Sequence, residues 1–270
     1  MAQEMQVRYV SAYSFDAKWA GEFEIVMDQI RAPGYYRINQ KFSPKKWIFR
    51  WYHVEEGSVQ IAGTDNRLGY NAKSKEYWIE PPENHESIKE EATTSELEEN
   101  KKNREQPFIN NLLTSFNESI FDGDESKPLI NRLTSDSLEE VNGFRAKKWT
   151  TTISTDETKM VIEEWMVENL LLKDTFYSYY IGSDDKDIPS ISSNDFIKDI
   201  DSTSFIDALD GDIVKAKLVV ESDNAWVKAM EFEIRELYTV PFDALSFAIP
   251  EDYKRVEEPN RSWSNKNEPN

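Results

Sequence analysis

Residues Ala225–Tyr253, AWVKAMEFEIRELYTVPFDALSFAIPEDY, constrain the fold of this chain more than any other stretch. Trp226, Met230, Phe232 and Ile234 fall on one side of a period-2 pattern that only Lys228 breaks, while Glu231, Glu233 and Arg235 fall on the other. A strand sends successive side chains to opposite faces, so the pattern demands a sheet with one packed face and one wet face. Pro241 closes the strand, and Leu245, Phe247 and Ile249 form an apolar plug just beyond it. That ending fits the last strand of an antiparallel sheet with a tail tucked against it.

Alternation recurs upstream. Val7–Ile30 carries Tyr9, Tyr13, Phe15 and Trp19, and its second half sets Phe23, Ile25 and Met27 at alternate positions, which predicts a strand at 20–30. Residues 32–36 read as a turn. In the next predicted strand pair, 45–62, Trp47, Phe49 and Trp51 alternate with Ile48, Arg50 and Tyr52. Glu55, Glu56 and Gly57 read as its hairpin turn, and Ser58–Ala62 as its return. Arg67–Asn71 and Glu76–Glu80 predict a further pair, ended by Pro81 and Pro82, which have no N–H to donate to a ladder. Phe144–Ile153 and Met160–Glu168 predict a hairpin, and Ile213–Glu221 a strand that turns at 222–224 into 225–238. Short strands with polar turns at this spacing indicate antiparallel meander pairing.

Two acidic stretches interrupt the strands. Glu83–Glu105 is almost wholly charged or polar and reads as a solvated helix or loop. It leads into Pro107–Phe121, where Phe108, Ile109, Leu112, Leu113 and Phe116 recur at helical spacing and predict an amphipathic helix. Asp136–Val141 is expected to be a short helical turn before Gly143. Leu170–Leu172 and Phe176–Ile181 add apolar material. Ser183–Asp212 is the second acidic stretch, with weak helical spacing at Phe196, Ile197, Ile200, Phe205, Ile206 and Leu209. Helices do not alternate one-for-one with strands, so the class is α+β. The expected organisation is one domain over residues 1–256, with insertions at 83–142 and 183–212 and a disordered polar tail at 257–270. No internal repeat stands out.

Charge narrows the partners. The 270 residues carry a formal net charge of −19, whereas nucleic-acid binding needs clustered Lys and Arg. An anionic membrane surface is disfavoured on the same ground. No apolar run is long enough to span a bilayer as a helix. The start, Met1–Glu4, has no basic region followed by an apolar one, which fits either a cytosolic protein or one whose signal peptide has been removed. There is no cysteine, hence no disulfide and no thiolate chemistry.

No catalytic motif emerges, and no cofactor or metal is expected. His53 and His85 are the only histidines, too few for a His-rich zinc site and poorly placed for a triad. The run Asp122–Ser126 begins like a calcium loop, but Lys127 stands where its glycine belongs and Leu133 where its closing glutamate belongs. Asp207, Asp210 and Asp212 cluster around Gly211 in the manner of an exposed turn. Glu163 and Glu164 are neighbours on a strand and so point to opposite faces, which prevents them from serving one substrate together. There is no Gly-rich phosphate loop and no G-x-S-x-G elbow.

The aromatic stripe Trp47, Phe49 and Trp51, with Tyr77, Trp78 and Trp165 on other strands, admits two readings. It is either a packed core face or the lining of an apolar cavity between a curved sheet and the helical insertions. Under the second reading the ligand-binding candidates are Trp47, Phe49, Trp51, Tyr77, Phe116, Trp165, Met230 and Phe232.

Three segments resemble the bacterial lipoprotein-carrier superfamily and its uncharacterised envelope-protein relatives. Asn66–Trp78 is similar to a strand pair whose second half reads x-Tyr-x-(Asp/Asn)-x-x-x-Lys-x-Tyr. Val141–Trp149 followed by Glu163–Val167 resembles a Gly-Tyr-Lys … Tyr … Trp-Val hairpin. Phe247–Tyr253 resembles the closing Phe-x-(Ile/Leu)-Pro-x-x-Tyr. The resemblance spans residues 20–255 and implies an unclosed antiparallel half-barrel, with helices packed on its concave side. It also implies a non-enzymatic cell-envelope protein, periplasmic or outer-membrane-anchored once a signal peptide is removed. Carriers of this kind hold an acyl chain in the concave face, so a lipid or acyl chain is the expected ligand. An envelope protein partner is the expectation if the core is filled. This chain departs from the pattern in its long acidic insertions and its lack of a lipobox cysteine.

Overall fold

A computed structural model describes residues 4–18, 21–46, 53–64, 67–80, 126–179, 191–200, 206–222, 225 and 227–257. The first meander comprises β1 (Met5–Ala17), β2 (Gly21–Ala32), β3 (Tyr35–Pro44), β4 (Val54–Ile61), β5 (Arg67–Asn71) and β6 (Glu76–Glu80). The second comprises β7 (Leu129–Val141), β8 (Phe144–Ser154), β9 (Lys159–Val167), β10 (Asp212–Glu221) and β11 (Val227–Pro241). Two short helices, α1 (Leu171–Ser178) and α2 (Ser193–Ile200), lie between β9 and β10. A 3-10 turn (Ala244–Phe247) and β12 (Lys254–Arg255) follow β11.

All strands join one open sheet, ordered β12-β6-β5-β4-β3-β2-β1-β11-β10-β9-β8-β7. Every pairing is antiparallel except that of β12 with β6. Within each meander a strand pairs with its sequence neighbour. Among the described strands the two meanders pair through β1 and β11, from Met5↔Pro241 to Ala17↔Val227. The register shifts between Val10 and Ser11, opposite Arg235, which bends the seam without turning its apolar set to the wrong face.

The register explains the alternation. Phe232 lies opposite Ala216 on β10 and Tyr13 on β1, and Tyr13 lies opposite Ile25 on β2. Met230 lies opposite Leu218 and Phe15, and Phe15 opposite Phe23. These side chains share one face and form the main core with Ile153, Met160, Ile162 and Val220. The helices supply Phe176, Phe196 and Ile197 to the same core, so we call this the helix face. Full burial of each such side chain is worth about 1.5–3 kcal/mol. On the opposite face the alternate positions make cross-strand ion pairs, among them Lys148–Glu163, Lys215–Glu231 and Arg235–Glu24, each at 2.6 Å.

A smaller core lies on that opposite face. Ala32, Val59 and Tyr70 are covered by the plug, with Phe247 buried and Phe242, Ile249 and Tyr253 packed beside it. The tucked tail expected from the sequence is therefore present, and its chain pairs on as β12. Two strand glycines make room for rings. A Cβ on Gly57 would stand 2.4 Å from the Tyr70 ring, and one on Gly69 would stand 2.5 Å from the Trp78 indole. A missing side chain here is what lets a neighbouring ring lie across the strand.

Several expectations need correcting. Glu55, Glu56 and Gly57 are not a turn; they run inside β4, with Gly57 between Asn39 and Tyr70. β1 and β3 are strands in their own right, and β3 occupies the segment just after the turn at 33–34. Asp136–Val141 is not helical but the second half of β7, held by Leu138↔Lys147 to Val141↔Phe144 after a bulge. The insertion expected at 83–142 thus ends in an edge strand. Helix α2 falls inside the expected insertion at 183–212, whereas α1 precedes it. Trp47, Phe49, Trp51, Pro107–Phe121 and the tail from residue 258 lie outside the described residues.

The glycine slots give a direct test of the sheet. Gly57→Ala should destabilise the protein by about 1–3 kcal/mol, the usual cost of overpacking, because the Cβ also meets the backbone oxygen of Ile38. Chemical denaturation measures it. An unchanged midpoint would contradict the ring packing.

Candidate functional site

Among the described residues the helix face carries a cavity of about 200 Å³, between the β1–β11 seam and the two helices. Its apolar side is formed by Phe232, Met166, Ile213 and Leu209, and its polar side by Tyr9, Tyr177, Lys173, Ser192 and Asn194.

Neither helix is long enough to be stable alone, so their docking defines the cavity roof. Helix α1 is anchored by Phe176, which is fully buried with its ring 5.3 Å from that of Tyr9. The buried Arg31 guanidinium lies 4.0 Å above the Phe176 ring and 4.9 Å from that of Tyr36, a desolvated cation–π contact that ties α1 to β2 and β3. Asp212 holds the helix start, accepting from the Leu170 N–H at 2.8 Å and from Lys173 Nζ at 2.7 Å. The suspected acidic turn at 207–212 therefore acts as a remote helix cap. A carboxylate there also opposes the positive end of the helix dipole.

Helix α2 is held by a second carboxylate. Glu164 is fully buried on β9 and accepts from the backbone N–H of Ser193 at 2.9 Å and from its hydroxyl. Arg132 on β7 donates to Ser193 Oγ at 3.0 Å, to Thr151 Oγ1 at 3.0 Å and to the carbonyl of Asp207. Burial lowers the Arg132 pKa from its usual value, and the nearby Glu164 charge works against that loss. Asn194 completes the roof by exchanging two 2.9 Å hydrogen bonds with the backbone of Leu209. As the sequence required, Glu163 points the other way, to Lys148 at 2.6 Å.

Tyr9 is the most buried polar group of the cavity wall, 1% exposed. Its hydroxyl makes no hydrogen bond among the described residues. Burial, with smaller contributions from Tyr13, Tyr177 and Asp212, pushes its pKa well above the ordinary tyrosine value. The phenol is therefore a hydrogen-bond donor throughout the physiological range.

The structure divides the predicted site residues. Met230, Phe232 and Trp165 belong to the main core, and of the four described candidates Phe232 lines the cavity. Tyr77 belongs to the small core on the opposite face. Trp165 does not line the cavity: its indole N–H donates to Glu139 at 2.7 Å, with the Lys148 and Lys215 ammonium groups 4.7 and 5.6 Å from its ring. Trp47, Phe49, Trp51 and Phe116 lie outside the described residues. Tyr9, Lys173, Tyr177 and Asn194 were missed. Tyr9 sits on β1, where the pattern is blurred because both faces are buried, and the others lie in segments without strong periodicity.

No protein-family model matches the chain, and no curated protein matches it. No helix among the described residues is long and apolar enough to cross a membrane.

Two outcomes test this site. Tyr9 and Tyr13 are both buried with raised pKa values, for which burial is the main cause. The stability they lend is fully present below the ordinary tyrosine value near 10 and is lost as pH rises through the folded values. Alkaline denaturation should therefore begin near pH 10, with a shallower slope in Tyr9→Phe. Glu164→Ala should cost about 1–3 kcal/mol, because it leaves the buried Ser193 N–H and hydroxyl without their acceptor. Melting temperature and denaturant midpoint report both effects.

Proposed function

We propose that this chain is a non-enzymatic binding protein that holds a small, apolar-bodied molecule between its helix face and the two short helices. The observation that carries the reading is the cavity of about 200 Å³ between the seam and the two helices. An apolar cavity of about 150 Å³ admits a benzene ring, whereas drug-sized sites run to roughly 300–1,000 Å³. The ligand is therefore the size of one ring or a short chain. A whole acyl chain, as expected from the lipoprotein-carrier resemblance, exceeds the volume of this cavity.

In this reading the sheet is the half-barrel of that resemblance, the helix face is its concave side, and the protein works in the bacterial envelope. A binding role rather than catalysis is supported by the roof chemistry. Glu164 and Ser193, a carboxylate and a hydroxyl in contact at the roof, are both fully buried and committed to holding α2.

The test is ligand-induced stabilisation with toluene and 1-hexanol as probes. A ligand that binds only the folded state should raise stability by about 2.7 kcal/mol at a hundred times its Kd. Leu209→Trp should fill the cavity and abolish the effect while the circular dichroism spectrum stays native. No saturable stabilisation by either probe would leave the cavity reading without support.

One observation favours an interaction protein instead. β7 is an edge strand, and Leu129, Leu133 and Leu138 on it are 73%, 62% and 54% exposed. An open edge with apolar side chains is a template for a strand from another chain. Sedimentation of wild type and Leu133→Lys tests it: association that the lysine abolishes supports this reading, and a monomer in both cases opposes it.

A further inference from the structure

Resting on the cavity reading above, we infer that the bound molecule is uncharged and carries a single hydrogen-bond-accepting oxygen on a ring-sized apolar body, as a phenol, benzyl alcohol or aromatic aldehyde does. At the polar end, Lys173 and Asp212 neutralise each other at 2.7 Å. Each oxygen of Asp212 is already engaged, one by Lys173 and the other by the Leu170 N–H. An ammonium carries three donors, and only the bond to Asp212 is made by Lys173 among the described residues. The Tyr9 hydroxyl is a further donor: Tyr9 lines the cavity, and its hydroxyl makes no hydrogen bond among those residues. The polar end thus offers donors and asks for an acceptor.

Charge excludes the other ligand classes. A carboxylate placed at Lys173 would lie beside Asp212, with the net charge of −19 opposing its approach. A cation would meet no uncommitted carboxylate, since Asp212 is the acid at this end of the cavity and both its oxygens are used. The raised pKa of Tyr9 supports the assignment, because the phenol stays protonated and able to donate. At the other end Phe232 and Met166 offer a ring and a thioether, surfaces suited to an aromatic face.

The test is a matched set of probes on one ring: toluene, benzyl alcohol, benzaldehyde, benzoate and benzylamine, measured by calorimetry on the full chain at neutral pH. Benzyl alcohol and benzaldehyde should bind about tenfold tighter than toluene, the worth of one good hydrogen bond, and tighter still than either charged probe. Tyr9→Phe should bring benzyl alcohol down to the toluene level and leave toluene binding unchanged, which also shows that the cavity survives. Benzoate or benzylammonium binding more tightly than benzyl alcohol would overturn the inference while leaving the cavity a ligand site. So would an equal loss of toluene and benzyl alcohol in Tyr9→Phe. Failure of every probe, toluene included, removes the ligand site itself and the inference with it.

Discussion

The pairing of β1 with β11 is the interaction on which the rest of the structure depends. Each meander pairs sequence-neighbouring strands, with β9 and β10 joined through the two helices, but neither has a complete core. The main core draws Tyr13, Phe15 and Ile25 from the first meander and Phe232, Met230 and Leu218 from the second, and it becomes continuous only across the seam. The strands concerned are separated by almost the whole chain, so the loop-closure entropy must be met before the contacts are gained. What offsets it is the burial of aromatic pairs across the joint, such as Tyr13 against Phe232 with ring centroids 5.1 Å apart. Aromatic pairs of this geometry add roughly 0.5–1.5 kcal/mol beyond their area.

The cavity is a consequence of that seam. Tyr9 comes from β1 and Phe232 from β11, so its floor exists only when the two meanders meet. Its roof is built by helices too short to persist alone, each fixed by a carboxylate at its start: Asp212 for α1 and Glu164 for α2. Both carboxylates belong to the second meander's strands, so the roof is tied to the same sheet it covers.

Much of this fold was legible in the sequence where one face of a strand is wet. Phe23–Met27, Arg67–Asn71 with Glu76–Glu80, and Met230–Ile234 all alternate cleanly, and all are strands whose opposite faces carry charge or partial exposure. Legibility failed where that contrast is absent. In β1, Val10 and Ala12 are buried behind Tyr9 and Tyr13, so the period disappears. In β7 a bulge between Thr134 and Leu138 shifts the alternation and mimics helical spacing. The site was harder still. Large aromatics drew attention to Tyr77 and Trp165, which do not line the cavity, while the cavity wall depends on Tyr9, Lys173 and Asn194, whose role comes from tertiary packing. Arg31 and Glu164, buried charges held by aromatic rings and a helix start, leave no local pattern at all.

The account rests on the claim that the space between Tyr9 and Phe232 is a ligand site rather than a packing defect. The most direct measurement is a crystal structure of the protein soaked with benzyl alcohol. The account predicts one ordered molecule, its ring against Phe232 and Met166 and its oxygen within hydrogen-bond distance of the Tyr9 hydroxyl. A cavity that is collapsed, or that stays free of the probe at saturating concentration, would contradict it.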